Sequence, residues 1–141
     1  MSEKFLAIVP TLNGEKTVAA VVRDARAQLE PVLVIDDGST DRTSEVAREA
    51  GAIVLRHETN RGKGAALKTG FAYALQHGYD GVISLDADGQ HLAGEIAKFI
   101  AARAGSGADL IIGGRAHLFS GMLPRRRLAN RVSAAAIAWA S

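Results

Sequence analysis

The feature that most constrains the fold is an alternation of short apolar runs with segments of helical periodicity. The apolar runs cover residues 5–10, 32–35, 52–55, 82–85 and 108–112. Runs of this length are typical of strands that are buried in a sheet. Helical segments lie between them, which is the pattern of a parallel sheet joined by right-handed crossovers. The sequence therefore predicts an α/β domain, with a mostly parallel sheet and helices on both faces.

The predicted helices are bounded by apolar spacing and by stop signals. The first covers about 15–30 and ends at Pro31, and the second ends near Ala50, before Gly51. The third ends at Gly78, and the fourth covers about 93–104. We expect the third helix to present one apolar face, made of Ala66, Leu67, Phe71, Ala74 and Leu75.

Composition excludes several classes of protein. The formal net charge of +2 is too small to indicate a nucleic-acid-binding protein, and the absence of cysteine excludes disulfides and thiolate metal sites. The apolar run before Thr11 is too short for a signal peptide or a membrane span. We therefore expect a cytoplasmic protein with a single domain over residues 1–141.

Polar clusters follow each predicted strand directly. They lie at 11–15, 36–41, 58–63, 86–90 and 113–115. In open α/β sheets, ligands bind in the crevice beyond the carboxyl ends of the strands. The spacing therefore predicts one binding site, at that edge of the sheet.

The cluster after the fourth strand predicts a metal site. Asp86 and Asp88 are two residues apart, so in an extended chain their side chains leave the same face of the sheet. Gln90 continues the spacing and adds a third oxygen. Oxygen ligands of this kind suit Mg²⁺ or Mn²⁺. A simple turn at the end of a strand is the alternative interpretation.

The paired acids Asp36 and Asp37 have two interpretations. The segment at 36–41 has the residues of a turn, in which Thr40 or Asp41 caps the next helix. A turn needs only one such acid, however, and a second carboxylate beside it is repelled unless something pairs with it. The hydroxyl or N–H groups of a nucleoside are one such partner.

The remaining clusters offer cations and histidines. Lys63 lacks the spacing of a phosphate-binding P-loop, and no G-x-G-x-x-G dinucleotide motif is present. Lys63 is either a solvated lysine at a helix start or a ligand contact, whereas Arg115 follows two glycines and suits a diphosphate. The four histidines show no metal-ligand spacing. His77 suits a helix C-terminus, and His91 is the only histidine that we consider as a functional candidate, because it directly follows the predicted metal cluster.

Five motifs in this order resemble those of the family 2 glycosyltransferases. They are Pro10-Thr-Leu-Asn13, Asp36-Asp-Gly-Ser-Thr-Asp41, Asn60-Arg-Gly-Lys-Gly-Ala65, Asp86-Ala-Asp-Gly-Gln90 and Gly113-Gly-Arg115. The resemblance covers about residues 5–131 and is nearest to the branch of dolichyl-phosphate mannosyltransferases and polyprenyl-phosphate glycosyltransferases. It implies the GT-A fold, which is Rossmann-like and binds nucleotide-sugars.

The resemblance also implies a role for each motif. The residues that would bind a UDP- or GDP-sugar are Pro10, Leu12, Glu15, Asp36, Asp37, Lys63, Asp86, Ala87, Arg115 and Arg127. Among them, Pro10, Leu12 and Asp37 would line the nucleoside pocket. The residues that would hold Mg²⁺ or Mn²⁺ are Asp86, Asp88 and Gln90, and those that would serve catalysis are Asp88 and Arg115. Transfer in this family inverts the anomeric carbon.

Three departures from the family pattern bear on the acceptor. Gly14 stands where the family often has an acid, and Leu92-Ala-Gly-Glu95 replaces the usual proline-containing step. The chain is also shorter at its C-terminus than the usual catalytic domain, and the acid that serves as a base for hydroxyl acceptors has no counterpart. A polyprenyl phosphate needs no such base because it is already ionised, although the shorter chain explains the missing acid equally well.

The C-terminal segment is basic at 125–127 and apolar from Val132 onwards. It suits an interfacial segment on anionic lipid, a helix packed on the sheet, or a helix packed on a second subunit of a homo-oligomer. We therefore expect peripheral membrane association at the cytoplasmic face as one option.

The leading hypothesis is an inverting, metal-dependent glycosyltransferase with a nucleotide-sugar donor and a polyprenyl-phosphate acceptor. The alternative is a nucleotide-sugar-binding module without turnover that acts in a larger assembly. A nucleotidyltransferase is a third option, but it lacks the Gly-rich, Arg-containing signature after the first strand. The sequence leaves the base, the sugar and the oligomeric state open.

Overall fold

A computed structural model describes residues 3–87, 96–106, 110–112 and 135–138 of the chain, with residues 102–106 and the last two ranges in backbone only. The strands are β1 (Phe5–Thr11), β2 (Val32–Asp36), β3 (Ile53–Arg56), β4 (Gly81–Ser84), β5 (Leu110–Ile112) and β6 (Ala135–Ala138). The helices are α1 (Val18–Arg26), α2 (Thr43–Glu49), α3 (Lys63–Gln76) and α4 (Ile96–Ser106).

These strands form one sheet in the order β3-β2-β1-β4-β6-β5. Strands β3, β2, β1 and β4 pair in parallel, whereas β6 is antiparallel to both of its neighbours. The register pairs Thr11 with Asp36, so the polar residues that follow β1 and β2 begin at the same level. The predicted mostly parallel sheet is confirmed.

Alternate side chains of the sheet face two separate layers of core. Phe5, Ala7 and Val9 of β1 pack with residues of α1, α2 and α4. Leu6 and Ile8 face the opposite side, where they pack with residues of α3. This alternation follows from the two-residue repeat of a strand. Helices therefore cover both faces of the sheet, as predicted.

The third helix departs from its predicted apolar face. Leu75 is 58% exposed, and the buried positions of α3 are Ala66, Gly70 and Ala74. These three residues are four apart and form a stripe of small side chains along one side of the helix. A Cβ atom at Gly70 would lie 3.1 Å from the Cδ1 atoms of Ile8 and Ile35. The close approach of helix and sheet excludes larger residues from this stripe.

The first helix is shorter than predicted at both ends. Residues 14–17 form a turn in which the Thr17 and Val18 N–H groups donate to the Gly14 carbonyl, so α1 begins at Val18 rather than at Glu15. It ends at Arg26, before the turn that leads to Pro31. Glu15 is thereby released from the helix and lies beside the start of α2.

The prediction of a helix or interfacial segment in the C-terminal tail is wrong for residues 135–138. These residues form β6, which pairs with β4 and β5. The N–H and C=O groups of a buried strand need partners on both sides, and β6 supplies them along β4. Among the described residues, no helix combines the length and the apolarity needed to cross a bilayer.

Candidate active site

A cleft of about 670 Å³ opens at the carboxyl ends of β1, β2 and β4, beside the N-terminus of α3. The predicted site residues that line it are Pro10, Leu12, Asp37, Lys63, Asp86 and Ala87. Four of the five sequence clusters therefore meet at this edge of the sheet, because parallel strands end there together. The fifth cluster, at 113–115, lies outside the described residues.

The residues after β1 form one wall of the cleft, and hydrogen bonds to the turn after β2 hold them in place. The Asn13 N–H donates to Ser39 Oγ (2.8 Å), and the Thr40 N–H donates to Asn13 Oδ1 (2.9 Å). Asn13 adopts a left-handed conformation with φ of 52°, which asparagine tolerates better than most residues. Leu12, held between these contacts, is 44% exposed and presents an apolar side chain to the cleft.

Steric crowding explains why position 14 is a glycine. A Cβ atom there would lie 2.5 Å from Thr11 Oγ1, well inside van der Waals contact. The Gly14 N–H donates to Thr43 Oγ1 (2.9 Å), which holds this backbone against the start of α2. The departure from the family pattern at Gly14 therefore fits the close packing of Thr11 beneath the turn.

Glu15 lies at the start of α2. Its carboxylate accepts a hydrogen bond from the Arg42 N–H (3.0 Å), and its own N–H donates to Asp41 Oδ2 (3.3 Å). Burial tends to raise the pKa of Asp41, but hydrogen bonds from Thr43 and from the Glu15 N–H lower it below its ordinary value. Glu15 thus joins the turn after β1 to the turn after β2.

Asp36 is fully buried behind the cleft. Its carboxylate accepts hydrogen bonds from the Ser39 N–H (2.9 Å) and the Ser44 hydroxyl. Arg56 Nη1 lies 3.4 Å from Oδ2 and balances its charge. This first acid of the pair therefore stabilises the turn between β2 and α2, which is the structural role that the turn interpretation gives it.

Asp37 stands at the wall of the cleft with its carboxylate occupied by protein donors. Oδ1 accepts hydrogen bonds from the Arg61 N–H (2.9 Å) and from His57 Nδ1 (2.7 Å). Oδ2 accepts a hydrogen bond from the Gly62 N–H (2.8 Å). Burial tends to raise the pKa of Asp37, but these hydrogen bonds and the charge of His57 lower it below its ordinary value. The protein itself therefore supplies hydrogen-bond partners for this second acid, for which a nucleoside was one candidate.

His57 is the residue that sequence reasoning missed. It is 8% exposed, and its ring lies between Asp37 and Thr69, with Nε2 2.8 Å from Thr69 Oγ1. Its position directly after β3, at the same edge as the other clusters, is the signal that could have found it. His91, the histidine selected from the sequence, lies outside the described residues.

Lys63 and Asp86 form an ion pair across the cleft. Lys63 Nζ lies 2.7 Å from Asp86 Oδ1, and the Asp86 side chain is 18% exposed. Next to it, the Ala87 carbonyl accepts a hydrogen bond from the Thr17 hydroxyl, which ties this strand end to the turn before α1. A carboxylate at the cleft surface fits the donor set of a hard cation.

Several predicted residues are not placed by the structure. Asp88, Gln90, Arg115 and the arginines at 125–127, including Arg127, lie outside the described residues. In the part of the chain that is described, no group of three histidine or acidic side chains converges to form a metal site. Of the three predicted metal ligands, the structure therefore places only Asp86.

Comparison with known families settles the family. The model of the family described as "Glycosyl transferase family 2" matches residues 6–137, almost the whole chain. The chain belongs to glycosyl transferase family 2.

Similarity to named glycosyltransferases and synthases agrees with this assignment. The chain is 35% identical to the polyprenol monophosphomannose synthase of Mycolicibacterium smegmatis, over 81% of this chain and 46% of that protein. It is 34% identical to the undecaprenyl-phosphate mannosyltransferase of Micrococcus luteus, over 79% of this chain and 48% of that protein. The chain spans about half the length of the curated relatives that it matches.

A solved structure shows the same fold. The glucosyl-3-phosphoglycerate synthase of Mycobacterium tuberculosis, crystallised with Mn²⁺, UDP-glucose and phosphoglyceric acid, superposes with a TM-score of 0.76. The two chains are 23% identical, and the match covers 97% of this family 2 chain and 57% of the synthase. The predicted Rossmann-like GT-A fold is therefore confirmed.

Proposed function

We propose that this protein is an inverting, metal-dependent glycosyltransferase that moves a sugar from a UDP- or GDP-sugar to polyprenyl phosphate. The observation that carries the proposal is the cleft itself, where four of the predicted motifs meet in a chain of family 2. Fold alone does not identify a reaction, whereas the chemistry of the residues in that cleft supports one.

The nucleoside is assigned to the side of the cleft formed by Pro10, Leu12 and Asp37. Pro10 and the exposed Leu12 offer an apolar surface for a base. Asp37 is nearly saturated with hydrogen bonds from the protein. We therefore assign it two functions: it forms part of the pocket wall, and it holds the Arg61–Gly62 backbone in place.

The diphosphate is assigned to the side formed by Lys63 and Asp86. These two side chains face each other across the cleft, one cationic and one a potential metal ligand. Asp88 and Gln90 are proposed as further ligands of Mg²⁺ or Mn²⁺, and Arg115 and Arg127 as further contacts to phosphate. A bound divalent ion supplies positive charge where negative charge develops on the leaving nucleoside diphosphate. Lys63 and Arg115 add to that charge.

The acceptor is assigned from its chemistry and from the relatives. Two matched proteins are named for polyprenyl-linked mannose, and a third, 30% identical, is the UDP-N-acetylglucosamine–dolichyl-phosphate transferase of Methanococcus voltae. A lipid phosphate is ionised at neutral pH and attacks the anomeric carbon without a protein base. Such an acceptor would bring the protein to a membrane surface, and we propose peripheral association there.

A transfer assay tests the proposal. Labelled UDP- and GDP-sugars are incubated with polyprenyl phosphate and Mn²⁺, and we expect label in the lipid fraction with one donor, and none with EDTA. Asp86→Asn should reduce transfer by at least about tenfold because it removes a proposed metal ligand. Asp24→Asn, on the exposed side of α1, is the matched control and should leave transfer unchanged. Nucleotide binding without any transfer would instead indicate a binding module.

A further inference from the structure

His57 is a buried residue that the proposed chemistry does not use. His57 is not one of the described residues that line the cleft. Its ring nitrogens contact Asp37 and Thr69 instead. These two partners lie 20 and 12 residues away in sequence, on different elements. A buried histidine with both nitrogens engaged between three segments constrains their relative position.

One of those segments is the loop that precedes α3. Asp37 accepts hydrogen bonds from the Arg61 and Gly62 N–H groups, at 2.9 and 2.8 Å. Gly62 is the N-cap residue of α3 and has a φ of 96°, so this backbone follows a course that few other residues could adopt. The next residue is Lys63, whose side chain reaches Asp86. Asp37 therefore fixes the point from which Lys63 extends.

We propose that His57 is a positioning residue for the nucleotide-sugar site, acting through Asp37 on the backbone that carries Lys63. The inference rests on the proposed function, in which Lys63 faces the diphosphate. The Nδ1–H group donates to Asp37 Oδ1, and this bond orients the carboxylate toward the Arg61 and Gly62 N–H groups. Thr69 holds the opposite side of the ring and prevents it from turning away.

The orientation of Asp37 matters because a carboxylate that rotates loses its other hydrogen bonds as well. Its two oxygens are shared among three donors, so the geometry that suits one donor depends on the others. Without the His57 bond, only the two backbone donors orient the carboxylate, and its rotation would remove the acceptor of the Arg61 N–H and leave the Gly62 N–H with Asn60 Oδ1. Displacement of this loop would shift Lys63 and weaken its contact with a phosphate, since recognition of this kind depends on pre-organisation.

Two variants separate positioning from packing. In His57→Asn, the side-chain amide can replace Nδ1 as the donor to Asp37 but cannot reach Thr69. In His57→Gln, the amide can reach toward Thr69 but leaves Asp37 without this donor. Both substitutions remove the imidazole and its packing, so a role in packing alone predicts similar effects. His77→Gln, at the exposed end of α3, controls for the loss of a histidine.

The first readout is calorimetric titration of UDP and GDP with Mn²⁺ into the purified protein and its variants. We expect His57→Gln to weaken nucleotide binding by about tenfold and His57→Asn by less than about threefold, as expected for the loss of one hydrogen bond to a charged group. His77→Gln should bind like the wild type. Equal weakening in His57→Asn and His57→Gln would overturn the inference.

The second readout needs no ligand. Hydrogen exchange of the Arg61 and Gly62 amides should accelerate in His57→Gln and remain near the wild-type rate in His57→Asn. If the wild type binds neither nucleotide but the exchange rates differ in this way, the proposed function fails and the positioning of the loop stands. Identical exchange in both variants would overturn the positioning itself.

Discussion

Asp36 and Asp37 are neighbours in sequence but have different surroundings. The carboxylate of Asp36 is enclosed by Ser39, Ser44 and Arg56, behind the cleft. The carboxylate of Asp37 reaches the cleft wall and is held by His57 and by two backbone amides. Each acid thus has its own set of hydrogen-bond donors, which offsets the repulsion between two neighbouring carboxylates. The pair stabilises two turns and places one carboxylate at the site.

Asp37→Asn should destabilise the protein and make its stability less dependent on pH. An amide can accept hydrogen bonds on one side only, so the Gly62 or Arg61 N–H would face an NH₂ group, at a cost of about 1–3 kcal/mol. The pKa of Asp37 is lowered by folding, so the stability it contributes is fully present above its ordinary value of 3.8. That contribution is lost as the pH falls through the lower folded pKa.

Urea unfolding from neutral pH down to about pH 3 measures both effects. The wild type should lose more stability over the acidic part of this range than Asp37→Asn does. Asp24→Asn serves as the matched control, since Asp24 is exposed on α1, and its profile should follow that of the wild type. Parallel profiles for all three proteins would show that Asp37 does not carry the effect.

The position of helix α3 depends on the small size of the side chains that face the sheet. Its buried stripe consists of Ala66, Gly70 and Ala74, and this lets the helix lie close against Ile8 and Ile35. The same closeness brings the N-terminus of the helix, with Lys63, to the ends of β1 and β4. The packing of α3 on the sheet therefore sets the width of the cleft.

Gly70→Val tests this packing. The added side chain would meet Ile8 and Ile35, and we expect the free energy of unfolding to fall by about 1–3 kcal/mol. Gly64→Ala is the control on the same helix, because a Cβ there meets no atom within 4 Å, and its stability should match or exceed that of the wild type. Thermal unfolding followed by circular dichroism measures both. If Gly70→Val were as stable as the wild type, helix α3 would not be tightly packed against Ile8 and Ile35.

The sequence predicts those strands and helices whose own residues show the apolar pattern of that element. The strands β1 to β4 are predictable because each contains a continuous apolar run, and the helices because their apolar residues recur at helical spacing. Strand β6 was missed because Ala135–Ala138 has no strand pattern of its own; it is a strand because it pairs with β4 and β5. Leu75 was misplaced because periodicity does not reveal how closely the helix approaches the sheet.

The sequence predicts the location of the candidate site but not the contacts between its residues. Its location at the strand ends follows from topology, and the structure places Pro10, Leu12, Asp37, Lys63, Asp86 and Ala87 around one cleft. The role of His57 could not be predicted, because it depends on contacts with Asp37 and Thr69 that are distant in sequence. The ion pair of Lys63 with Asp86 likewise depends on the fold.

In the molecule as a whole, one edge of the sheet carries the cleft to which we assign the donor nucleotide. The sheet, α3 and the turn after β2 meet there, and the chain matches about half the length of its curated relatives. Binding of a nucleotide at this cleft can be measured without an acceptor. Transfer of a sugar requires this binding step first.

Calorimetric titration of UDP and of GDP, each with Mn²⁺ and with EDTA, measures donor binding at the cleft. We predict that one nucleotide binds in the presence of Mn²⁺, that EDTA abolishes this binding, and that Asp88→Asn abolishes it as well. Absence of binding by either nucleotide would contradict the assignment of the cleft as a donor site. Binding that is unchanged by EDTA and by Asp88→Asn would contradict the metal site.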